Sequence, residues 1–156
     1  MQNFLPIEKY REILDITPVC CVDVLFFNND KTKTLLFKRN NEPLKDSYFS
    51  AGGRLLKNEK FEDCAIRQAF REVGINIKRD KLTFGGVLEE FHTNSVFEDI
   101  SYHAVVIYYG YIFNDEDIKL DNQHSDLKWF SVSDDSINPF IKSRITSLLK
   151  TYGQKL

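Results

Sequence analysis

The chain has 156 residues, enough to bury a sizeable core without disulfides or a structural metal, and is expected to form one domain over residues 1–156. Its formal net charge is −2, with 21 basic and 23 acidic side chains interspersed, so no global basic field favours nucleic acid or an anionic membrane surface. The three cysteines are odd in number and lack metal-ligand spacing, which points to reduced thiols, and no apolar run reaches membrane-spanning length, so the expectation is a cytoplasmic protein without a membrane partner.

Ile7, Tyr10, Ile13 and Leu14 recur at helical spacing, which predicts a short leading helix from Pro6 to Ile16 that Thr17-Pro18 terminates. Val19 to Phe27 is β-branched and aromatic; with the Asn28-Asn29-Asp30-Lys31 cluster and Thr34 to Phe37 it reads as strand, turn, strand. Pro43 to Gly53 is expected to be a loop leading to a helix from about Glu59 to Val73, with Asn58 as N-cap and Gly74 as the stop. Strands are predicted at Leu82 to Phe91, Tyr102 to Phe113 and Leu127 to Val132. Asn138 to Tyr152 is a closing amphipathic helix with Phe140, Ile141, Ile145, Leu148 and Leu149 on its apolar side. Strands interleaved with helices on one core predict an α/β fold, a mixed sheet flanked by helices.

The helix around residue 66 carries the chemistry. Residues Gly53 to Ile75 read GRLLKNEKFEDCAIRQAFREVGI. The spacing of Gly53, Glu59, Arg67, Glu72, Gly74 and Ile75 resembles a Nudix box, a loop, helix and loop whose glutamates bind divalent cations against a diphosphate. Gln68 and Arg71 stand where that family usually has glutamates. At 100° per residue Glu72 shares a face with Phe61, Cys64, Ala65 and Gln68, while Ile66, Ala69, Phe70 and Val73 continue the apolar surface around it, and a carboxylate on such a face is costly unless a cation or hydrogen-bond donors receive it. The ordinary alternative is a helix-end pair with Arg67, Arg71 or Lys78. One carboxylate can suffice for Mg²⁺, which keeps several waters and completes its shell with neutral oxygens and phosphate.

Three further segments, KRNNEPLKDSYFSAGGR, TPVCCVD and DNQHSDLKWF, narrow the resemblance. Together they are similar to the GDP-mannose mannosyl hydrolases, an atypical Nudix branch that lacks the same two glutamates and cleaves the glycosidic carbon-oxygen bond. The resemblance implies the Nudix fold, an α/β/α sandwich, and a homodimer acting on GDP-mannose or a related GDP-hexose. It implies that Arg39 and Arg54 contact the diphosphate and that the Gly52 carbonyl, Glu72 and Gln123 hold Mg²⁺, with Mn²⁺ as the alternative. His124 is then the base that activates water for inverting attack, and Asp23 stabilises charge developing at the anomeric carbon.

Each of these residues also has a plainer reading. His124 sits in a polar loop where a lone histidine is usually solvated, Asp23 could pair with Arg39, and Arg39 could be a surface cation. Phe4, Tyr10 or Tyr102 could stack on any purine. This chain departs from the branch at Ala51 for a proline, Ala104 for a tyrosine and near Glu90 for a histidine, leaving His92 and His103 without a matched role. Two other functions remain open on the sequence: a pyrophosphohydrolase attacking phosphorus, and a nucleotide-sugar binding module without turnover.

Overall fold

The computed structural model describes residues 5–114 and 116–154. Its elements in chain order are α1 (Ile7–Ile16), β1 (Val19–Phe27), β2 (Lys33–Arg39), β3 (Tyr48–Phe49), β4 (Ala51–Arg54), α2 (Phe61–Val73), a 3₁₀ turn at Arg79–Lys81, β5 (Thr83–His92), β6 (Tyr102–Ile112), β7 (His124–Ser131) and α3 (Pro139–Thr151). Among the described residues no helix is long and apolar enough to cross a membrane.

β1 is the central strand because VCCVDVLFF packs against both layers, and every residue of it except Cys20 is buried. It runs parallel to β6, from Val19 opposite Ala104 to Phe27 opposite Ile112, and β5 pairs antiparallel outside β6. On its other side β1 changes partner. Its first half pairs with β4, from Cys21 opposite Arg54 to Val24 opposite Ala51, and its end pairs with β2 at Phe26 and Phe27. β2 in turn pairs with β3 and β7. The sheet therefore forks beside Asp23, and the fork opens space next to Gly52.

Helices cover both faces. Val22, Val24, Phe26 and Phe37 pack with Cys64, Ala65, Ala69 and Val73 of α2. Leu25, Phe27 and Leu36 pack with Ile141, Ile145, Leu148 and Leu149 of α3. Leu14 of α1 closes a smaller cluster with Val19, Cys21 and Val106. This is the α/β/α arrangement the sequence predicts. The cysteines are free thiols, and burial pushes those of Cys21 and Cys64 upward, so they act as packing groups.

Four local expectations change. The segment Pro43 to Gly53 is not all loop: it carries β3 and β4, whose two and four residues are too short for a periodic signal and exist because β2 and β1 pair with them. Asn58 does not cap α2. Its φ is +66°, the helix begins after Lys60, and no side chain caps it. β7 starts at His124 rather than Leu127 because β2 pairs with it as far as Arg39, across a bulge after Lys38. Phe70 is 58% exposed and does not extend the apolar face of α2. By contrast Gly74 ends α2 in the left-handed region at φ +73°, and the Asn138 side chain accepts from the Phe140 N–H at 2.9 Å to start α3.

Candidate active site

A cavity of about 570 Å³ opens at the fork, bounded by β1, β4, α2 and the inner faces of β5 and β6. Asp23, Arg39, Gly52, Arg54, Glu72 and Gln123 all line it. His124 does not. Its side chain is 1% exposed beneath the surface, edge-on to Phe37, with Nδ1 3.0 Å from Asp121 Oδ1 and Nε2 without a partner among the described residues. Tyr10 and Tyr102 also line the cavity, and Phe4 lies outside the described residues.

Glu72 is the penultimate residue of α2 and 3% exposed. Its Oε2 accepts from the Gly52 N–H at 2.9 Å and its Oε1 from Arg71 Nη2 at 3.1 Å. Burial outweighs both donors and pushes its pKa up to about 7. Glu59 instead serves α2 structurally: it accepts two bonds from Arg67 at 2.6 and 2.8 Å and one from the Leu56 N–H at 3.0 Å. Arg67 also donates to the Arg54 carbonyl at 3.1 Å, tying α2 to β4. Thus the two glutamates of the motif divide the labour, one facing the cavity and one holding the loop.

Gly52 is required by space. A Cβ there would lie 2.1 Å from Asp23 Oδ1 and 2.6 Å from the Val22 carbonyl oxygen. Leu55 N–H donates to the Cys20 carbonyl at 2.8 Å, so bonded rungs alternate along the β1 and β4 pair and Gly52 falls on an unbonded one. Its N–H and C=O consequently turn away from β1, and the N–H reaches Glu72. Gly52→Ala is expected to lower stability by about 1–3 kcal/mol through overpacking against backbone. A chemical denaturation midpoint unchanged from wild type would refute that steric reading.

No three His, Cys, Asp or Glu side chains cluster as a metal centre among the described residues. The donors on the cavity still fit a hard divalent cation that completes its shell with phosphate. They comprise one buried carboxylate, a backbone carbonyl turned toward the same side as the Glu72 bond, and Gln123, whose Nε2 donates to Asp121 Oδ2 at 3.3 Å and leaves Oε1 available. Arg71 shares Glu72 and must yield to such a cation or move onto its anionic ligand. Arg39, Arg54 and Arg71 also line the cavity and give it a positive character. Arg39 is held by an Nε bond to the Pro43 carbonyl at 3.0 Å, and it does not pair with Asp23.

Asp23 is bound from elsewhere. Its Oδ2 accepts from Ser50 Oγ at 2.8 Å and from Arg144 Nη1 at 2.7 Å, and Arg144 also forms an ion pair with Glu90. Arg144, Ser50 and Asp121 carried no individual signal as site residues, and Glu90 entered only as the place where the branch has a histidine. For Arg144 a hint exists: it lies three residues after Ile141 and four before Leu148, on the stripe that α3 buries. Glu90 faces inward with its Oε2 3.2 Å from His92 Nε2, while His103 stacks on Phe91 across the sheet.

A NUDIX domain model matches residues 18–145. The chain is 28% identical over 145 residues to the low-salt glycan biosynthesis protein Agl8 of Haloferax volcanii, covering 92% of this chain and 90% of that one. Among solved structures it is similar to the MutT protein from Methanosarcina mazei Go1, with a TM-score of 0.70 and 17% identity over 88% of this chain and 97% of that one. It is also similar to the NUDIX domain of Shewanella oneidensis NrtR complexed with ADP ribose, with a TM-score of 0.67 and 17% identity over 95% and 99% of the two chains. Because the match spans most of the sequence, from the start of the central strand into α3, and the loop, helix and glycine of the motif sit at the fork, the chain belongs to the Nudix family.

Proposed function

We propose that the protein hydrolyses GDP-mannose or a related GDP-hexose to GDP and free sugar, by water attack at the anomeric carbon with inversion. The carrying observation is the charge pattern of α2. Of its residues on the cavity, Arg67, Gln68, Arg71 and Glu72, one is a carboxylate, so the helix lacks the acidic groups that would activate water beside phosphorus. Family membership supports hydrolase chemistry, and the likeness to a glycan biosynthesis protein supports a sugar-bearing substrate.

In this reading Glu72, the Gly52 carbonyl and Gln123 hold Mg²⁺ or Mn²⁺. When bound, the cation neutralises diphosphate charge and makes GDP a better leaving group. Arg39 and Arg54 bind and orient the diphosphate, replacing the water that solvates it. Asp23 lies on the cavity wall where a negative charge would favour an oxocarbenium-like transition state. His124 is the base. Asp121 engages Nδ1, which fixes the tautomer with Nε2 unprotonated, and burial holds the ring pKa below its ordinary 6.5, so it is neutral at pH 7. The assignment requires the ring to reach the cavity past Gln123, its neighbour on the wall.

Phosphorus and proton NMR of a GDP-mannose reaction with Mg²⁺ and a metal-free control test the proposal. GDP with β-mannose appearing first is the expected result. GMP with mannose 1-phosphate would instead establish a pyrophosphohydrolase, and absence of turnover across GDP-hexoses would establish a binding module.

A further inference from the structure

The floor of the cavity is built around a charge that never reaches the cavity. Arg144 is 0% exposed, and its guanidinium lies between the rings of Phe49, at 5.2 Å, and Tyr108, at 5.9 Å. One nitrogen holds Asp23 and Ser50, at 2.7 and 2.9 Å, and the other holds Glu90. Burying three ionised groups is expensive, and partners this closely placed offset the cost only by fixing each other's geometry. The consequence for Asp23 is specific. Oδ2 is saturated by Ser50 and Arg144, whereas Oδ1 takes no hydrogen bond among the described residues and lies over Gly52, where only a glycine leaves room.

Glu90 is fixed in the same way, between Arg144 and His92, and His92 lines the cavity with it. Asp23, Glu90 and Arg144 together carry one net negative charge. Arg39, Arg54 and Arg71 line the same cavity. The arginines suit phosphate, whereas Asp23 and Glu90 present fixed acceptors that suit hydroxyl donors and repel anions.

We propose that Arg144 is the positioning residue of a hydroxyl-binding subsite, holding Asp23 and Glu90 so that the cavity floor receives the neutral, hydroxyl-rich part of a diphosphate-linked ligand. The assignment rests on the reading that the ligand is a nucleotide sugar. Arg144 acts through the carboxylates and does not touch the ligand. Its loss should therefore weaken recognition of the sugar and leave recognition of the nucleotide diphosphate in place.

The test is calorimetric titration of GDP and of GDP-mannose into wild type, Arg144→Lys and Glu90→Gln, in EDTA to stop turnover, with circular dichroism to confirm folding. A lysine keeps the charge but cannot bridge both carboxylates in the fork geometry of a guanidinium. Arg144→Lys is expected to weaken GDP-mannose about tenfold, the value of a hydrogen bond to a charged group, and to move GDP less than about twofold. Glu90→Gln, which keeps the pair of Arg144 with Asp23 and so guards against a folding failure, should show the same selectivity at about threefold. Equal changes for both ligands, or none in either variant, would overturn the role of Arg144 while leaving the substrate reading intact. Failure of wild type to bind either ligand in EDTA, and to bind GDP with Mg²⁺ supplied, would overturn both.

Discussion

Replacing His124 with glutamine is expected to reduce turnover of GDP-mannose by about 10²–10⁴-fold, the usual contribution of a general base, with the affinity for GDP unchanged. Glutamine keeps a polar group near Asp121 but has no titratable nitrogen. The prediction has a distinctive pH signature. A base must be unprotonated to act, and burial holds the His124 pKa below its ordinary value, so with the cation kept saturating the acid limb of kcat should lie below that of a free histidine. Asp121→Asn removes the partner at Nδ1 and should lower kcat without giving a new acid limb. Wild-type turnover in His124→Gln would remove the imidazole from the mechanism. It would also agree with the side chain's absence from the cavity wall, and direct the search for the base to groups that line it.

Glu72→Gln is the second large effect, and it acts on stability and metal binding in opposite directions. Folding raises the Glu72 pKa from its ordinary 4.5 to about 7. Between those values the native carboxyl is protonated and the unfolded one is ionised, so the native state binds more protons and its stability falls as pH rises. Above about 7 both are ionised and the whole penalty is present, about 3 kcal/mol at 1.36 kcal/mol per unit. Glutamine does not titrate, although its amide group loses the bond from Arg71, so the gain is at most that large. Metal-free Glu72→Gln should therefore unfold at higher temperature than wild type at pH 8, with the difference vanishing toward pH 4. In the same variant the affinity for Mg²⁺ or Mn²⁺ with GDP should fall about 10–100-fold. Wild-type cation affinity should itself weaken below pH 7 as Glu72 protonates. A Glu72→Gln protein no more stable at pH 8 than at pH 5, relative to wild type, would show that the carboxylate is not destabilised by burial.

Much of the fold was legible because its signals are local. Val19 to Phe27 is a run of β-branched and aromatic residues long enough to name a buried strand, and β1 has those bounds. The spacing from Gly53 to Ile75 is a covalent property of the chain; it located α2, its glycine stop and the carboxylate that faces the cavity. Arg39 and Arg54 could be placed near that carboxylate from motif resemblance, and both line the cavity. The pairing partner of Asp23 was not legible. Sequence proximity and charge suggested Arg39, whereas the partner is Arg144, 121 positions away.

By itself, then, the sequence determined the layer architecture, the central strand, the helix that presents Glu72 and the loss of two acidic positions beside it. These follow from periodicity, β-propensity and fixed spacing, which depend on near neighbours. Tertiary structure alone decided the rest: that β4 exists, that Gly52 lies against Asp23, that His124 is buried while Gln123 lines the cavity, and that one guanidinium from α3 binds carboxylates from β1 and β5. These depend on where strands far apart in the chain are brought side by side, and a hydrogen bond or ion pair formed across such a distance leaves no periodic trace in the residues that make it.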